Sequence, residues 1–182
     1  GPGYGGSCFP KDTQALARIG QDHAVPMQLT ETVISVNEEV KRRMVEKIFD
    51  LCGGTVNGKS VAVLGVTFKP NTDDMREAPS LTIVPALVGK GADVRVVDPQ
   101  GQREGAELLP GVSWHEDAYV ATQDADAVLI LTEWNEFRAL DLARLASVMR
   151  TPAMADLRNI YSAKEAGAAG FIAYTSVGRQ DL

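Results

Sequence analysis

The sequence contains few of the residues from which disulfide frameworks and metal centres are built. Among its 182 residues there are two cysteines and two histidines. Two cysteines cannot supply a disulfide framework or a zinc quartet, and His23 and His115 lie too far apart in sequence to show ligand spacing. We therefore predict no metal site, and we expect ordinary packed or solvated roles for both histidines.

Long apolar runs and an excess of positive charge are also missing. The most apolar run, 127–131, is far shorter than a bilayer requires, and the chain does not open with a secretory signal. The net charge of −6 argues against a large nucleic-acid-binding surface. We thus expect neither a membrane nor a nucleic acid as partner, with a cytoplasmic location as the default.

A dinucleotide-binding fingerprint is the third absence. The first predicted strand, 60–64, is followed by Gly65 and then by bulky residues, where a GxGxxG sequence would let a pyrophosphate approach the backbone. Asp98 follows the next predicted strand, as a ribose-binding acid does, but it lacks the glycine partners. A turn-capping role for Asp98 is favoured over ribose binding, so this sheet is not expected to hold a dinucleotide itself.

What the sequence does have is a glycine-rich start that leads to a cysteine. The first twelve residues read GPGYGGSCFPKD, and Cys8 precedes a predicted helix over 13–20. Glycines let the backbone approach a ligand closely, and the dipole at a helix N-terminus favours a thiolate. Lys11 adds positive charge, and Asp12 places a carboxylate about one helical turn from the sulfur. This layout is typical of a covalent nucleophile, although a buried and inert cysteine fits the same pattern.

The rest of the chain predicts one long helix and then a sheet covered by helices. Apolar residues from Leu29 to Leu51 recur in steps of three and four, which indicates an amphipathic helix of about 23 residues. Its charged residues between Glu38 and Arg43, Lys41 among them, are interpreted as a solvated face. Strands then alternate with helices, which favours a parallel sheet. Strands are predicted at 60–64, 93–97, 112–114, 127–131, 153–156 and 171–174, and helices at 80–88, 117–122, 141–149 and 162–167.

Two polar clusters follow predicted strands of this sheet. The run 68–77 places Lys69 and Arg76 among carboxylates beside Phe68, a composition that suits an anionic ligand with a flat group. A charged surface loop with internal ion pairs is the alternative. Arg158, in the run DLRN, follows a late strand and adds a second candidate cation.

These motifs resemble one family. GPGYGGSCFPKD resembles the catalytic-cysteine signature of the UDP-glucose 6-dehydrogenases, within the wider nucleotide-sugar dehydrogenase family, and the run 68–77 matches the C-terminal domain of that family. The resemblance implies an α/β fold, in which a long central helix precedes a Rossmann-like parallel sheet domain that binds the UDP-sugar. It assigns 1–27 to the catalytic-cysteine loop and a short helix, 28–55 to the central helix, and 56–182 to the UDP-sugar-binding domain. It also implies a homodimer through the central helix.

The chemistry implied by the resemblance is an NAD-dependent, two-step oxidation of a UDP-sugar to its acid through a cysteine thioester. Cys8 would be the nucleophile, and Asp12 would handle the proton and the hydrolytic water. The implied substrate-binding residues are Gly1, Gly3, Tyr4, Gly5, Phe68, Lys69 and Arg158, and the implied residues on the NAD side are Phe9, Lys11 and Arg76. The Ser-Cys-Phe form of the loop favours UDP-glucose as substrate.

The resemblance covers nearly the whole chain but only the latter half of the family's length. The family's N-terminal NAD-binding domain has no counterpart in these 182 residues, so we expect them not to turn over alone. Gly1 and Pro2 fit the family signature and also fit the remnant of a cleaved tag. Two other functions stay open, namely a dehydrogenase for another nucleotide sugar and a non-catalytic module for UDP-sugar binding or dimerisation.

Overall fold

Two helices open the chain, and strands and helices alternate after them. The computed structural model describes residues 1–179. The helices span Phe9–Asp22 (α1), Gln28–Leu51 (α2), Ser80–Gly89 (α3), Gln102–Leu108 (α4), Ala118–Thr122 (α5), Asn135–Arg138 (α6), Leu142–Val148 (α7) and Ala163–Ala168 (α8). The strands span Ser60–Leu64 (β1), Asp93–Val97 (β2), Val112–Trp114 (β3), Ala127–Ile130 (β4), Ala153–Asp156 (β5) and Ala173–Ser176 (β6).

The six strands form one parallel sheet in the order β3-β2-β1-β4-β5-β6. This is the strand order of the doubly wound dinucleotide-binding fold, so the predicted α/β class with a Rossmann-like parallel sheet is confirmed. The order reverses between β1 and β4, which pair from Val61↔Ala127 to Leu64↔Ile130. In such sheets, a crevice for ligands opens beyond the carboxyl ends of the strands at this point.

The core lies on both faces of the sheet. Every residue of β1 and β4 is buried, because helices cover both sides of these central strands. On one face, Met44 and Ile48 of α2 join Ile83 and Leu87 of α3 in a single apolar cluster. On the other face, helices α5, α7 and α8 pack, with Leu145 fully buried. Helix α2 is therefore packed directly onto the sheet domain.

Helix α2 divides into two halves of different environment. Its C-terminal half is buried against the sheet, whereas its N-terminal half exposes Leu29, at 86%, together with Val33 and Val36. The predicted solvated face is wrong at Lys41, which is only 3% exposed and donates from Nζ to Glu38 Oε1 at 2.8 Å. Lys41 is buried because the N-terminal loop passes over this part of the helix.

Several predicted element boundaries are corrected by the structure. Helix α1 begins at Phe9 rather than Thr13, because the Asp12 N–H already donates to the Cys8 carbonyl at 2.8 Å. Strand β6 begins two residues later than predicted, since Phe171 is buried in the core before the strand and the Ile172 N–H bonds to the Pro152 carbonyl.

Helices α4 and α6 were not predicted. Helix α4 carries Gly105 in its interior, which weakens its helical pattern. A Cβ at Gly105 would lie 2.4 Å from the Trp114 ring, so this glycine allows the helix to approach β3. Within residues 1–179, no helix combines the length and the hydropathy that a membrane span requires.

Candidate functional site

The glycine-rich loop lies between helix α2 and the segment that precedes α3. The Gly6 N–H donates to the Arg76 carbonyl at 2.8 Å. Gly5 passes so close to the same segment that a Cβ there would lie 2.4 Å from the Glu77 carbonyl oxygen. At Gly6, with φ of +92°, a Cβ would lie 2.9 Å from the Phe68 ring. These glycines are therefore required for close packing of the loop against the sheet domain.

Two residues of α2 hold the other side of the loop. Asn37 accepts a hydrogen bond from the Tyr4 N–H at 2.8 Å and donates from Nδ2 to the Tyr4 carbonyl at 3.2 Å. Lys41 lies one turn further on, where its Cγ would be 3.2 Å from a Cβ at Gly3. Neither residue was predicted from the sequence to contact this loop. The sequence did carry one signal for them. Asn37 and Lys41 follow Val33 by four and eight positions, so both polar residues lie on the apolar stripe of an amphipathic helix.

Cys8 lies at the N-terminus of α1, as predicted from the sequence, and its side chain is exposed. Its Sγ lies 3.6 Å from Ser7 Oγ, and no side chain caps the helix ahead of it. Helix α1 has 14 residues, and the partial positive charge at its N-terminus lies next to the thiol. Cys52, in contrast, is buried, and burial raises the pKa of its thiol.

Asp12 and Lys11 pair with each other on the exposed first turn of α1. Lys11 Nζ donates to Asp12 Oδ1, and this bond raises the pKa of Lys11. The Asp12 carboxylate lies one turn from Cys8, with its backbone tied to the Cys8 carbonyl. The Asp12 carboxylate is thus engaged by Lys11. It can act on a group near the Cys8 sulfur only if it turns away from Lys11 or binds both at once.

An open groove runs beside the cysteine. It is lined by Gly6, Ser7, Lys11, Gln14, Ala15, Arg76 and Glu77. Arg76 is exposed and holds Asp74 through two bonds, Nε–Oδ1 at 2.9 Å and Nη2–Oδ2 at 2.8 Å. This pairing raises the pKa of Arg76 and lowers the pKa of Asp74. Phe9 is also exposed, with its ring edge-on to the Tyr4 ring at a centroid distance of 4.7 Å.

Phe68, Lys69 and Arg158 meet at the carboxyl ends of the central strands. Lys69 Nζ lies 5.1 Å from the centre of the Phe68 ring, within the range of a cation–π contact. Arg158 donates from Nε to the Leu131 carbonyl at 2.6 Å and from Nη2 to the Phe68 carbonyl at 2.9 Å.

The Arg158 guanidinium also reaches the start of the chain. Glu133 Oε2 lies 3.0 Å from its Nε and forms an ion pair without hydrogen-bond alignment, since that N–H is aimed at Leu131. A Cβ at Gly1 would lie 3.4 Å from Nη1. Burial lowers the pKa of Arg158. The glycine-rich loop is thus brought against Phe68 and Arg158, although these residues are far apart in sequence.

The position where related sheets bind a dinucleotide is filled by the protein itself. Gly65, after β1, lies against Thr132, and a Cβ there would be only 2.4 Å from the Thr132 Cβ. The Asp98 carboxylate accepts from the backbone N–H groups of Val66, Thr67, Gln100 and Gly101, and from Trp134 Nε1. Asp98 is therefore a structural turn-capping residue, as favoured from the sequence, and the sheet does not fit a dinucleotide there.

The described part of the chain contains no group of three or more histidine, cysteine or acidic side chains placed to hold a metal ion. The cations and the thiol are instead spread around the glycine-rich loop. Such a surface suits an anionic ligand that lies between the loop and the strand ends.

Comparison with known proteins also divides the chain into an N-terminal segment, which contains the glycine-rich loop, and the sheet domain. The model of the UDP binding domain of the UDP-glucose/GDP-mannose dehydrogenase family matches residues 62–163, and the model of that family's central domain matches residues 1–39. The chain is 52% identical over 181 residues to a UDP-glucose 6-dehydrogenase of Rhizobium meliloti strain 1021, which aligns all of this chain with 41% of that protein. It is 43% identical over 180 residues to UDP-glucose 6-dehydrogenase TuaD of Bacillus subtilis strain 168, covering 98% of this chain and 39% of the relative.

A solved structure shares the fold. The UDP-glucose dehydrogenase from the hyperthermophilic archaeon Pyrobaculum islandicum superposes with a TM-score of 0.80 at 34% identity, over 96% of this chain and 38% of that one. The chain spans about two fifths of the length of the curated relatives that it matches. Because the UDP-binding-domain model covers more than half of the residues and the central-domain model covers the cysteine loop, the chain belongs to the UDP-glucose/GDP-mannose dehydrogenase family.

Proposed function

We propose that the chain is the C-terminal part of an NAD-dependent UDP-glucose 6-dehydrogenase, which oxidises UDP-glucose to UDP-glucuronate. The complete protein is called the parent enzyme below. The observation that carries this proposal is the 52% identity, along the whole chain, to a protein of that name. The exposed Cys8 at the N-terminus of α1 supports it, because the proposed reaction needs an accessible thiol.

Cys8 is the proposed nucleophile. The first oxidation removes a hydride from C6 of the sugar and a proton from its oxygen, which leaves an aldehyde. Cys8 Sγ then bonds to C6 as the thiol proton passes to the aldehyde oxygen, and loss of a second hydride from C6 together with that hydroxyl proton gives a thioester. Splitting the oxidation in this way keeps the carbon attached to the protein between the two steps.

Asp12 is the proposed residue for the last step, in which water attacks the thioester. The water oxygen bonds to C6 as one of its protons passes to a base, the C–S bond breaks, and that proton then passes to the departing sulfur, which regenerates the thiol and leaves the carboxylic acid. Asp12 lies one helical turn from Cys8 and is exposed to solvent, so its carboxylate can accept that proton once it turns away from Lys11.

The proposed substrate site lies between the glycine-rich loop and the strand ends. Its residues are Gly1, Gly3, Tyr4, Gly5, Phe68, Lys69 and Arg158. Arg158 and Lys69 bring positive charge to the edge of the sheet, which suits a diphosphate. The Phe68 ring packs across Gly6 and offers an apolar face close to the cysteine loop.

The proposed NAD side consists of Phe9, Lys11 and Arg76. NAD, when bound, supplies the oxidising power for both steps by accepting a hydride in each. The groove beside Cys8 carries the cations Lys11 and Arg76, which fits one charged edge of a dinucleotide. Since the sheet of this chain does not fit a dinucleotide, the remainder of the NAD site is proposed to lie in the rest of the parent enzyme.

Helix α2 is the proposed centre of a homodimer interface. Leu29, Val33 and Val36 form an exposed apolar face on its N-terminal half, and such a face favours burial against another helix. A cytoplasmic location and the division into 1–27, 28–55 and 56–182 stay predictions.

The proposal is tested by replacing the two cysteines separately in the parent enzyme. Cys8→Ser should reduce the rate of UDP-glucuronate formation on the order of 10³-fold or more, the scale of loss when a covalent nucleophile is removed. Cys52→Ser is the matched control and should keep close to the full rate, because Cys52 is buried away from the groove.

Product release is followed by chromatography, with NADH absorbance as a second signal. A Cys8→Ser enzyme that releases UDP-glucuronate at the normal rate would contradict the proposed mechanism. UDP-N-acetylglucosamine and GDP-mannose are the comparison substrates. If the parent enzyme oxidises either of them faster than UDP-glucose, that nucleotide sugar becomes the proposed substrate.

A further inference from the structure

Asn37 occupies an unusual position for a polar residue. It lies on the apolar stripe of α2, is only 7% exposed, and directs its side chain at the backbone of the glycine-rich loop. Its Oδ1 accepts from the Tyr4 N–H at 2.8 Å, while its Nδ2 donates to the Tyr4 carbonyl at 3.2 Å. One amide side chain thus satisfies both backbone groups of one residue, as a neighbouring strand would in a sheet.

This pair of hydrogen bonds attaches the glycine-rich loop to α2. Gly3 has φ of +118°, and a Cβ there would lie 2.9 Å from Asn37 Oδ1. Gly6 is held from the opposite side by the Arg76 carbonyl. The loop is therefore fixed on both sides, with Asn37 as its attachment to α2 and the segment before α3 as its attachment to the sheet domain.

The fixed segment leads directly to the thiol. Tyr4 is four residues before Cys8, and its ring packs edge-on against Phe9, the first residue of α1. A rotation of the Tyr4 backbone would change the contact with Phe9 and shift the start of α1, where Cys8 lies. The position of the sulfur relative to the groove consequently depends on the Tyr4 backbone.

We propose that Asn37 is a positioning residue for Cys8, acting through its paired hydrogen bonds to the Tyr4 backbone. This inference rests on the proposed function of Cys8 as nucleophile. Asn37 does not touch the reacting atoms; it sets the place of the loop that carries them. Displacement of a reacting group by about 1 Å lowers rates by roughly 100-fold, so loss of this pairing should lower kcat more than it changes KM.

The experiment compares three variants of the parent enzyme. Asn37→Ala removes both hydrogen bonds, and Asn37→Asp keeps an acceptor for the Tyr4 N–H while it removes the donor to the Tyr4 carbonyl. Glu39→Ala is the matched control, since Glu39 is an exposed residue of the same helix two positions further on. We measure kcat and KM for UDP-glucose, thermal unfolding, and hydrogen exchange of the Tyr4 and Gly6 amides.

For Asn37→Ala, we expect kcat to fall roughly 10- to 100-fold, with a smaller rise in KM because Gly3 and Tyr4 are also residues of the proposed substrate site. The Tyr4 and Gly6 amides should exchange faster than in the wild type while exchange in the β1 and β4 strands stays unchanged. Asn37→Asp should give an intermediate kcat with the Tyr4 amide still protected. Glu39→Ala should leave all of these values unchanged.

Two results would overturn the inference. The first is a wild-type kcat in Asn37→Ala despite faster Tyr4 exchange, because the loop position would then not matter. The second is a fall in kcat that tracks a loss of strand protection throughout the molecule, because Asn37 would then act only on folding.

If Asn37→Ala does not fold, Asn37→Asp decides by the same criteria. Cys8→Ser, measured alongside, separates this inference from the proposed function. An active Cys8→Ser enzyme rejects the function, whereas an inactive one beside a fully active Asn37→Ala enzyme rejects the inference alone.

Discussion

Gly65 and Gly58 differ in how much space a side chain would have at a backbone position that favours glycine. Both have positive φ, +84° at Gly65 and +71° at Gly58. At Gly65 a Cβ would meet the Thr132 Cβ at 2.4 Å, whereas at Gly58 there is nothing within 4 Å. The two positions share the backbone strain and differ in the space available.

Alanine at these two positions should therefore separate strain from overlap. Gly58→Ala should lower the free energy of unfolding by about 1 kcal/mol, the cost of a left-handed non-glycine residue. Gly65→Ala should lower it by about 2 kcal/mol more, since the end of β1 must move away from Thr132. Urea unfolding measures both, and equal losses would show that the contact with Thr132 is easily relieved.

The residues that were predicted correctly are those whose environment follows from their neighbours in sequence. Cys8 was placed at a helix N-terminus by the sequence that follows it, and Asp98 was interpreted as a turn cap because its glycine partners were missing. Asn37 and Lys41 were missed, since their burial depends on a loop more than thirty positions away. Local charge patterns cannot show which part of a helix is covered by a distant segment.

At the scale of elements, α2 is the longest helix and its two halves have different surroundings. The helix and its length were predicted from the apolar period, whereas the difference between the buried C-terminal half and the exposed N-terminal half was not. The boundaries of α1 and β6 were wrong by a few residues, because hydrogen bonds from Asp12 and Ile172 to distant or preceding carbonyls decide where these elements begin. Periodicity alone carries no information on such bonds.

The exposed apolar face of α2 leads to a prediction about assembly. The double substitution Leu29→Glu and Val33→Glu in the parent enzyme should weaken self-association roughly tenfold or more, because burying carboxylates in an apolar interface is costly. Analytical ultracentrifugation over a range of concentrations measures the dissociation constant.

Val120→Glu is the matched control for this experiment. Val120 is an exposed apolar residue of α5, away from α2, so its substitution should leave self-association unchanged. An unchanged dissociation constant in the double variant would place the dimer interface elsewhere.

At the scale of the whole molecule, the parallel sheet was predictable from alternating strands and helices, whereas the crossing of the N-terminal loop over α2 was not. The strand order then explains why Phe68 and Arg158, ninety positions apart, lie side by side at the carboxyl ends. Their approach is a consequence of parallel topology rather than of any local motif.

The chain alone should not oxidise UDP-glucose. Its own sheet does not fit a dinucleotide at Gly65, where a Cβ would meet Thr132, and the Asp98 carboxylate is bonded to backbone N–H groups, so the remainder of the NAD site is expected outside these residues. With NAD and UDP-glucose present, we expect no NADH formation by residues 1–182 under conditions in which the parent enzyme is active. NADH formation at a rate comparable to the parent enzyme would show that a complete site lies within this chain.

Arg158 bonds to two strand-end carbonyls, and this has a consequence for whatever docks beside it. The oxygens of Leu131 and Phe68 each accept one bond from the guanidinium, which leaves one lone pair on each for a donor from outside. The Glu133 carboxylate lies beside the guanidinium as well, so this corner offers an incoming molecule both donors and an acceptor. A lysine could not take the place of this arginine, because one ammonium nitrogen lacks the planar fork that bridges two carbonyls at once.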